Sequence, residues 1–86
     1  MILLKDLVPS PSKAWRGDLP DTCQLCRRAF GLGHADTFID GATRLGPWGY
    51  MCAVCHASQG LGLGIGLGQA FRLQPDGRWA QMIEVG

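Results

Sequence analysis

Histidine, charge and long apolar runs are all scarce in this chain, and each shortage excludes something. His34 and His56 are the only histidines among 86 residues. Metal-assisted hydrolysis needs an open metal position, histidine or carboxylate ligands, and a base. Only His34, Asp36, Asp40 and His56 stand near enough to the motifs below to serve, so nuclease chemistry is a minor reading. Charged residues make up 17% of the chain and the formal net charge is +1. That is not the strongly basic profile of a dedicated nucleic-acid binder. The small positive excess lies in residues 1–30, where Lys5, Lys13, Arg16, Arg27 and Arg28 face Asp6, Asp18 and Asp21. No stretch of about 18 or more uncharged apolar residues is present, so no membrane span is expected. The start, Met1-Ile2-Leu3-Leu4-Lys5-Asp6, lacks the basic region and apolar length of a signal peptide. A cytoplasmic setting is the expectation, and reduced cysteines go with it.

What the chain does have is four cysteines in two Cys-x-x-Cys pairs, Cys23/Cys26 and Cys52/Cys55, with residues 27–51 between them. This is the layout of a two-knuckle tetrahedral zinc site. Each knuckle bends the backbone so that both sulfurs converge on one ion. Four thiolates close the coordination shell and leave no position for water or substrate, so the expected role of one Zn²⁺ is structural. A small domain buries little core and benefits from such a staple. A tetrathiolate zinc centre also adds two negative charges, which takes the formal charge from +1 to about −1.

Cys52-Ala53-Val54-Cys55-His56 also fits the c-type haem attachment pattern. That reading needs an exported, mostly helical chain and leaves Cys23 and Cys26 without a role. A thioredoxin-type redox pair needs a βαβ setting, which is not present. Two disulfides need an oxidising compartment. His34 and His56 are alternative ligands only if a cysteine is displaced.

The coarse reading divides the chain into an N-terminal arm, residues 1–20, and a single zinc-ribbon domain, residues 21–86. In the arm, Ile2, Leu3, Leu4, Leu7 and Val8 form an apolar cluster ended by Pro9 and Pro11, either a short strand or one helical turn laid on the ribbon; Trp15 and Leu19 are placed to dock there, and a partly mobile N-terminus is the other reading. Thr37 to Arg44 reads as a hairpin turning at Asp40-Gly41, a type I′ signal. Gly46-Pro47-Trp48-Gly49-Tyr50 delivers the chain into the second knuckle. A short helical turn follows at His56-Ala57-Ser58-Gln59. Gln69 to Val85 reads as a second hairpin around Gln74-Pro75-Asp76-Gly77. The expected class is small, metal-stapled and mainly β, with two knuckles and antiparallel hairpins.

Between Gly60 and Gly68 glycine alternates with an aliphatic residue. Phosphate-binding glycine motifs contain an odd glycine spacing, whereas every glycine of this run is at an even position. As an extended strand, the run would put Leu61, Leu63, Ile65 and Leu67 on one face and leave the other bare. A bare face admits another backbone or a flat partner. It serves to wrap the knuckles, or to bind a partner through residues such as Leu63 and Ile65, or is a flexible loop. Arg27, Arg28 and Arg44, with Lys13, Trp15, Trp48 and Tyr50, are candidates for a basic and aromatic face. Such a face suits single-stranded nucleic acid; otherwise the rings are core and the arginines balance the thiolate charge.

The stretch Phe38-x-Asp40-Gly41-x-Thr43-x-x-Gly46-Pro47-Trp48-x-x-Met51-Cys52-x-x-Cys55-His56, followed by Gly60-x-Gly62-Leu63-Gly64-x-Gly66-x-Gly68-Gln69, resembles a group of small bacteriophage and prophage proteins. The resemblance covers roughly residues 23–70 and leaves the N-terminal arm outside. It implies a phage-encoded zinc ribbon and carries no activity with it, and the group has polar and basic residues where this chain has Ile65 and Leu67. The expectation is a non-enzymatic zinc-binding interaction module in the host cytoplasm. A protein partner is favoured and nucleic acid is the alternative.

Overall fold

The computed structural model describes residues 2–18, 20–31 and 33–84. Leu19 and Val85, named above as a docking residue and a hairpin end, lie outside them. A 3₁₀ turn at Leu4–Asp6 leads into strand β1 (Leu7–Ala14). The first knuckle follows, then β2 (Thr37–Ala42), β3 (Trp48–Cys52), helix α1 (Ala53–Gln59), β4 (Gly68–Leu73) and β5 (Trp79–Glu84). The strands form one antiparallel sheet in the order β1-β5-β4-β2-β3. The expected class therefore holds: a small, mainly β fold with two Cys-x-x-Cys knuckles and antiparallel hairpins.

Successive residues of a strand point to opposite faces, so Phe38 and Ile39 feed two different cores. Phe38 stacks on Phe71 at 5.1 Å and meets Trp79 edge-on at 5.0 Å, with Trp15 and Phe30 packed around them. Ile39 joins Leu7, Met51, Leu63, Ala70 and Met82 in an aliphatic core that also takes in Cys23 and Cys52. Two buried thiols are thus part of the main core, which ties the site to the stability of the sheet.

The second hairpin forms where its turn residues put it. Gln74 N donates to Arg78 O, Gly77 N donates to Gln74 O, and the Asp76 carboxylate accepts from Arg78 N at 2.9 Å. The first hairpin does not turn at Asp40-Gly41. Both residues lie inside β2, where Asp40 pairs with Tyr50 and Gln69, and Gly41 with Gly49 and Gly68. The turn comes later, where Thr43 Oγ1 donates to Pro47 O at 2.8 Å and Gly46 N donates to Thr43 O. Glycine stands at 41 because the neighbouring backbone is close. A Cβ there would meet Leu67 O at 2.8 Å and the Gly68 Cα at 3.0 Å.

Two other segments take definite form. The apolar cluster of the arm forms both a 3₁₀ turn at Leu4–Asp6 and an edge strand, in which Leu7–Ser10 pairs with Gln81–Glu84, with an irregularity before Ala14. Pro9 and Pro11 are tolerated there because an edge strand leaves one side without ladder bonds. The glycine run is not a strand. It is a compact loop in which Gly64 and Gly68 exchange backbone hydrogen bonds at 2.8 and 3.0 Å around Ile65-Gly66-Leu67. Positive φ at Gly62, Gly64 and Gly66 breaks the alternation of faces. Leu63 turns into the core while Ile65 is fully exposed.

Candidate metal centre

The first knuckle is a tight turn closed at its base by a bridge between Thr22 and Ala29. Cys23 N donates to Arg28 O and Arg27 N donates to Cys23 O, both at 2.8 Å. The turn sets Arg27 at φ 67°, the one positive φ of a non-glycine residue among the described residues. Left-handed backbone costs a side chain of this kind roughly 1 kcal/mol or more. Arg27 accordingly has a backbone role that its charge did not suggest. The second knuckle straddles a strand end and a helix start: Cys52 closes β3 and caps α1, and Cys55 sits in the first turn of α1.

The two knuckles bring all four sulfurs within 4.8 Å of one another. Cys26 Sγ and Cys52 Sγ are 3.7 Å apart. A tetrahedral thiolate centre with bonds of about 2.3 Å has sulfur–sulfur edges of about 3.8 Å, so the spacing fits a single ion. All four are free thiols, and no disulfide joins them. Cys23 and Cys52 are buried, Cys55 is half-buried and Cys26 is exposed, so one corner of the tetrahedron faces solvent. Burial pushes the Cys23 thiol up. The main-chain N–H groups of Cys26, Cys52 and Leu25 aimed at its sulfur outweigh this and bring it down to about 6. Burial first, and the neighbouring thiols second, push the Cys55 thiol up. Cys23 is therefore the sulfur that the fold prepares as a thiolate.

The histidines stand apart from this centre. His56 Nε2–H donates to Gly62 O at 3.0 Å, which spends that nitrogen on the glycine loop. Gly60 lets the ring fold back, because a Cβ at that position would collide with it. His34 is exposed, and its main-chain N donates to Gly31 O. Asp36 accepts a hydrogen bond from Thr37 Oγ1 at 3.1 Å. Asp40 lies within β2, where burial raises its carboxyl above the usual range. Among the described residues, the four cysteines are the one group of three or more histidine, cysteine or acidic side chains close enough to hold an ion.

The candidate partner-binding residues line several depressions. Arg27 and Tyr50 line one depression with Gln24. Trp48 lines another with Leu25, Leu45 and Pro47. Arg44 lines a third beside α1 with Leu61 and His56. Arg28 is exposed on the first knuckle. Tyr50 is half-buried against Trp15 and Phe38. Trp15 itself is packed on Phe71, with its indole N–H donated to Asp18 O. Leu63 is 7% exposed and belongs to the aliphatic core, whereas Ile65 stands free. A residue the sequence did not single out, Gln24, joins the two knuckles. No pattern of residue type or spacing marks it.

Among the described residues no helix is long and apolar enough to cross a membrane. Comparisons with protein families, with curated proteins and with solved structures find no match.

Proposed function

We propose that this chain is a zinc-stapled, non-enzymatic interaction module that presents its surface to a macromolecular partner, with a protein the favoured kind. The observation that carries the zinc assignment is the convergence of four thiols at tetrahedral spacing, with His56 committed elsewhere. Thiolates select zinc over harder cations, and a full set of four closes the site to substrate. Zinc there would fix both knuckles to the aliphatic core, because Cys23 and Cys52 belong to that core. Structural zinc in small peptides contributes an apparent ~10–16 kcal/mol at neutral pH, as much as an ordinary domain's whole stability. The likeness to small phage proteins supports a setting in the cytoplasm of an infected host.

Exposed apolar side chains at Leu45 and Trp48 support a protein partner. The exposed Arg27 and Arg28 support nucleic acid as the second reading. Phosphate-driven binding weakens steeply with salt, with a slope of roughly −0.7 to −0.9 per contacted phosphate. A salt series against DNA and RNA therefore separates the two.

The test of the module begins with metal analysis of the purified chain, where one zinc per chain is expected. Chelation is expected to abolish the cooperative thermal transition and the β-sheet circular dichroism. Unchanged spectra and melting temperature after complete metal removal defeat the zinc-staple reading. Affinity capture from host lysate with zinc saturated then tests for a partner.

A further inference from the structure

We propose that the open edge of β3 beside the first knuckle is a docking slot for an extended, acidic and apolar peptide segment of a partner protein; this rests on the interaction-module reading above. β3 is the last strand of the sheet, so among the described residues one side of it has no neighbouring strand. At Tyr50 that side is taken: Gln24 N donates to Tyr50 O at 2.9 Å, and Tyr50 N donates to Gln24 Oε1 at 2.7 Å. Main-chain groups of an antiparallel strand repeat their direction every second residue. Trp48 therefore points its N–H and C=O to the same outer side as Tyr50.

The partner strand agrees. Ala42, opposite Trp48, turns away from β3, with its N donating to Leu67 O at 2.8 Å and its O accepting from Leu61 N at 3.2 Å. Among the described residues nothing takes up the Trp48 amide and carbonyl. One donor and one acceptor stand ready at strand spacing.

Beside them lies a groove of about 300 Å³, lined by Leu25, Leu45, Pro47, Trp48, Gly49 and Met51 among others. Leu45 is 67% exposed and Trp48 55%. Sheet edges are ordinarily blunted by proline and charge. The far edge of this sheet is blunted in that way, with Pro9, Pro11 and Lys13 on β1. The β3 edge at Trp48 carries apolar side chains instead, the arrangement that strand addition uses: backbone bonds for affinity and a side-chain pocket for selection.

The charge around the slot chooses the occupant. Gln24 is a shared wall between this groove and the depression lined by Arg27. Arg27 is exposed, and so is Arg28 next to it in the first knuckle. Asp21 is the one acidic residue lining either depression. Acidic side chains on the peptide complement that rim. A phosphodiester backbone offers acceptors for the arginines but no donor for the Trp48 carbonyl, so peptide is favoured over nucleic acid at this position.

The test uses the zinc-loaded full chain and a fluorescein-labelled peptide of alternating valine and glutamate, followed by fluorescence anisotropy. Binding is expected, with the corresponding valine–lysine peptide at least about tenfold weaker. Trp48→Ala and Leu45→Asp are each expected to weaken it about tenfold or more, the loss typical of a central anchor. Val8→Ala, at the opposite edge of the sheet, is expected to leave it unchanged. In amide-resolved NMR the Trp48 and Gly49 signals are expected to shift. Circular dichroism and zinc content confirm that the variants fold.

Equal binding of both peptides, or none of the valine–glutamate peptide to folded protein, overturns the proposal. So does single-stranded DNA binding that Arg27→Ala weakens and Trp48→Ala does not. A dimer in sedimentation that Leu45→Asp dissolves also overturns it, because the slot is then filled by a second copy. A lysate partner retained equally by wild type and both slot variants leaves the module reading standing and removes this slot. No retained partner at all removes the module reading with it.

Discussion

Gln24 and Tyr50 hold each other by two hydrogen bonds, one through the Gln24 backbone at 2.9 Å and one through its side chain at 2.7 Å. Gln24 directly follows Cys23, and Tyr50 is two residues before Cys52. This pair is a protein link between the two knuckles, separate from the one an ion would supply. Gln24 also behaves as a fragment of an extra strand, covering the β3 edge at one position.

Replacing Gln24 by alanine removes the side-chain bond and keeps the backbone one. The freed Tyr50 amide is at an exposed edge and can turn to water, so the loss is that of an ordinary hydrogen bond, about 0.5–1.5 kcal/mol. Urea unfolding of the metal-loaded Gln24→Ala protein should show that drop with the metal stoichiometry intact. A loss of metal along with stability places Gln24 in a larger role than a link. No change at all shows that the metal alone sets the knuckle geometry.

Acid should release the metal and unfold the chain. Cys23 is depressed from its usual 9.0 to about 6 by the N–H groups around its sulfur, working against burial. A group depressed in the folded state contributes stability in full above its unfolded value. That contribution fades as the pH falls toward the folded value. Protons also compete with a metal for all four thiolates, which acts in the same direction. Melting temperature and chelator-detected zinc release, followed from about pH 9 down to about pH 5, should show stability falling and release rising together. A pH-independent release rate contradicts this account of the site.

Alanine at Gly41 should be among the costly surface-to-core changes in the sheet. Gly49, Gly41 and Gly68 sit in register across β3, β2 and β4. The new methyl would press on the Leu67 carbonyl oxygen and the Gly68 Cα, both backbone atoms that cannot rotate aside. Overpacking of this sort typically costs 1–3 kcal/mol or somewhat more. Thermal unfolding of Gly41→Ala is the measurement. A cost confined to strand propensity, a few tenths of a kcal/mol in favour of alanine or against it, contradicts the close approach.

That glycine marks the limit of what the sequence could disclose. The site was legible because chemistry fixes it: two Cys-x-x-Cys pairs at this separation are the layout of a four-thiolate metal site. The second hairpin was legible because Gln74-Pro75-Asp76-Gly77 acts locally, through its own backbone bonds. Asp40-Gly41 has the same local preference, but there the pairing of β2 with strands on both sides overrides it. Whether a glycine serves a turn or a close approach depends on a neighbour remote in sequence. The same holds for β1, whose prolines read as irregular until β5 supplies a single partner edge, and for Gln24, whose partner Tyr50 lies across the site.

Leu63 and Ile65 are the sharpest pair for testing the glycine loop. Both are aliphatic, both are flanked by glycines, and a strand would put them on one face. The loop instead turns Leu63 into the aliphatic core beside Met51 and Met82 and leaves Ile65 in solvent. Leu63→Ala should cost about 2–5 kcal/mol, as for other buried leucines. Ile65→Ala is a surface change and should stay within about 0.5 kcal/mol. Chemical denaturation of the two zinc-loaded variants compares them directly. Equal costs would mean that the run is extended after all, with its aliphatics sharing one buried face. The expected inequality ties the positive φ of Gly62 and Gly64 to a purpose: the alternation of faces is broken, and Leu63 is the one side chain of the run buried in the core.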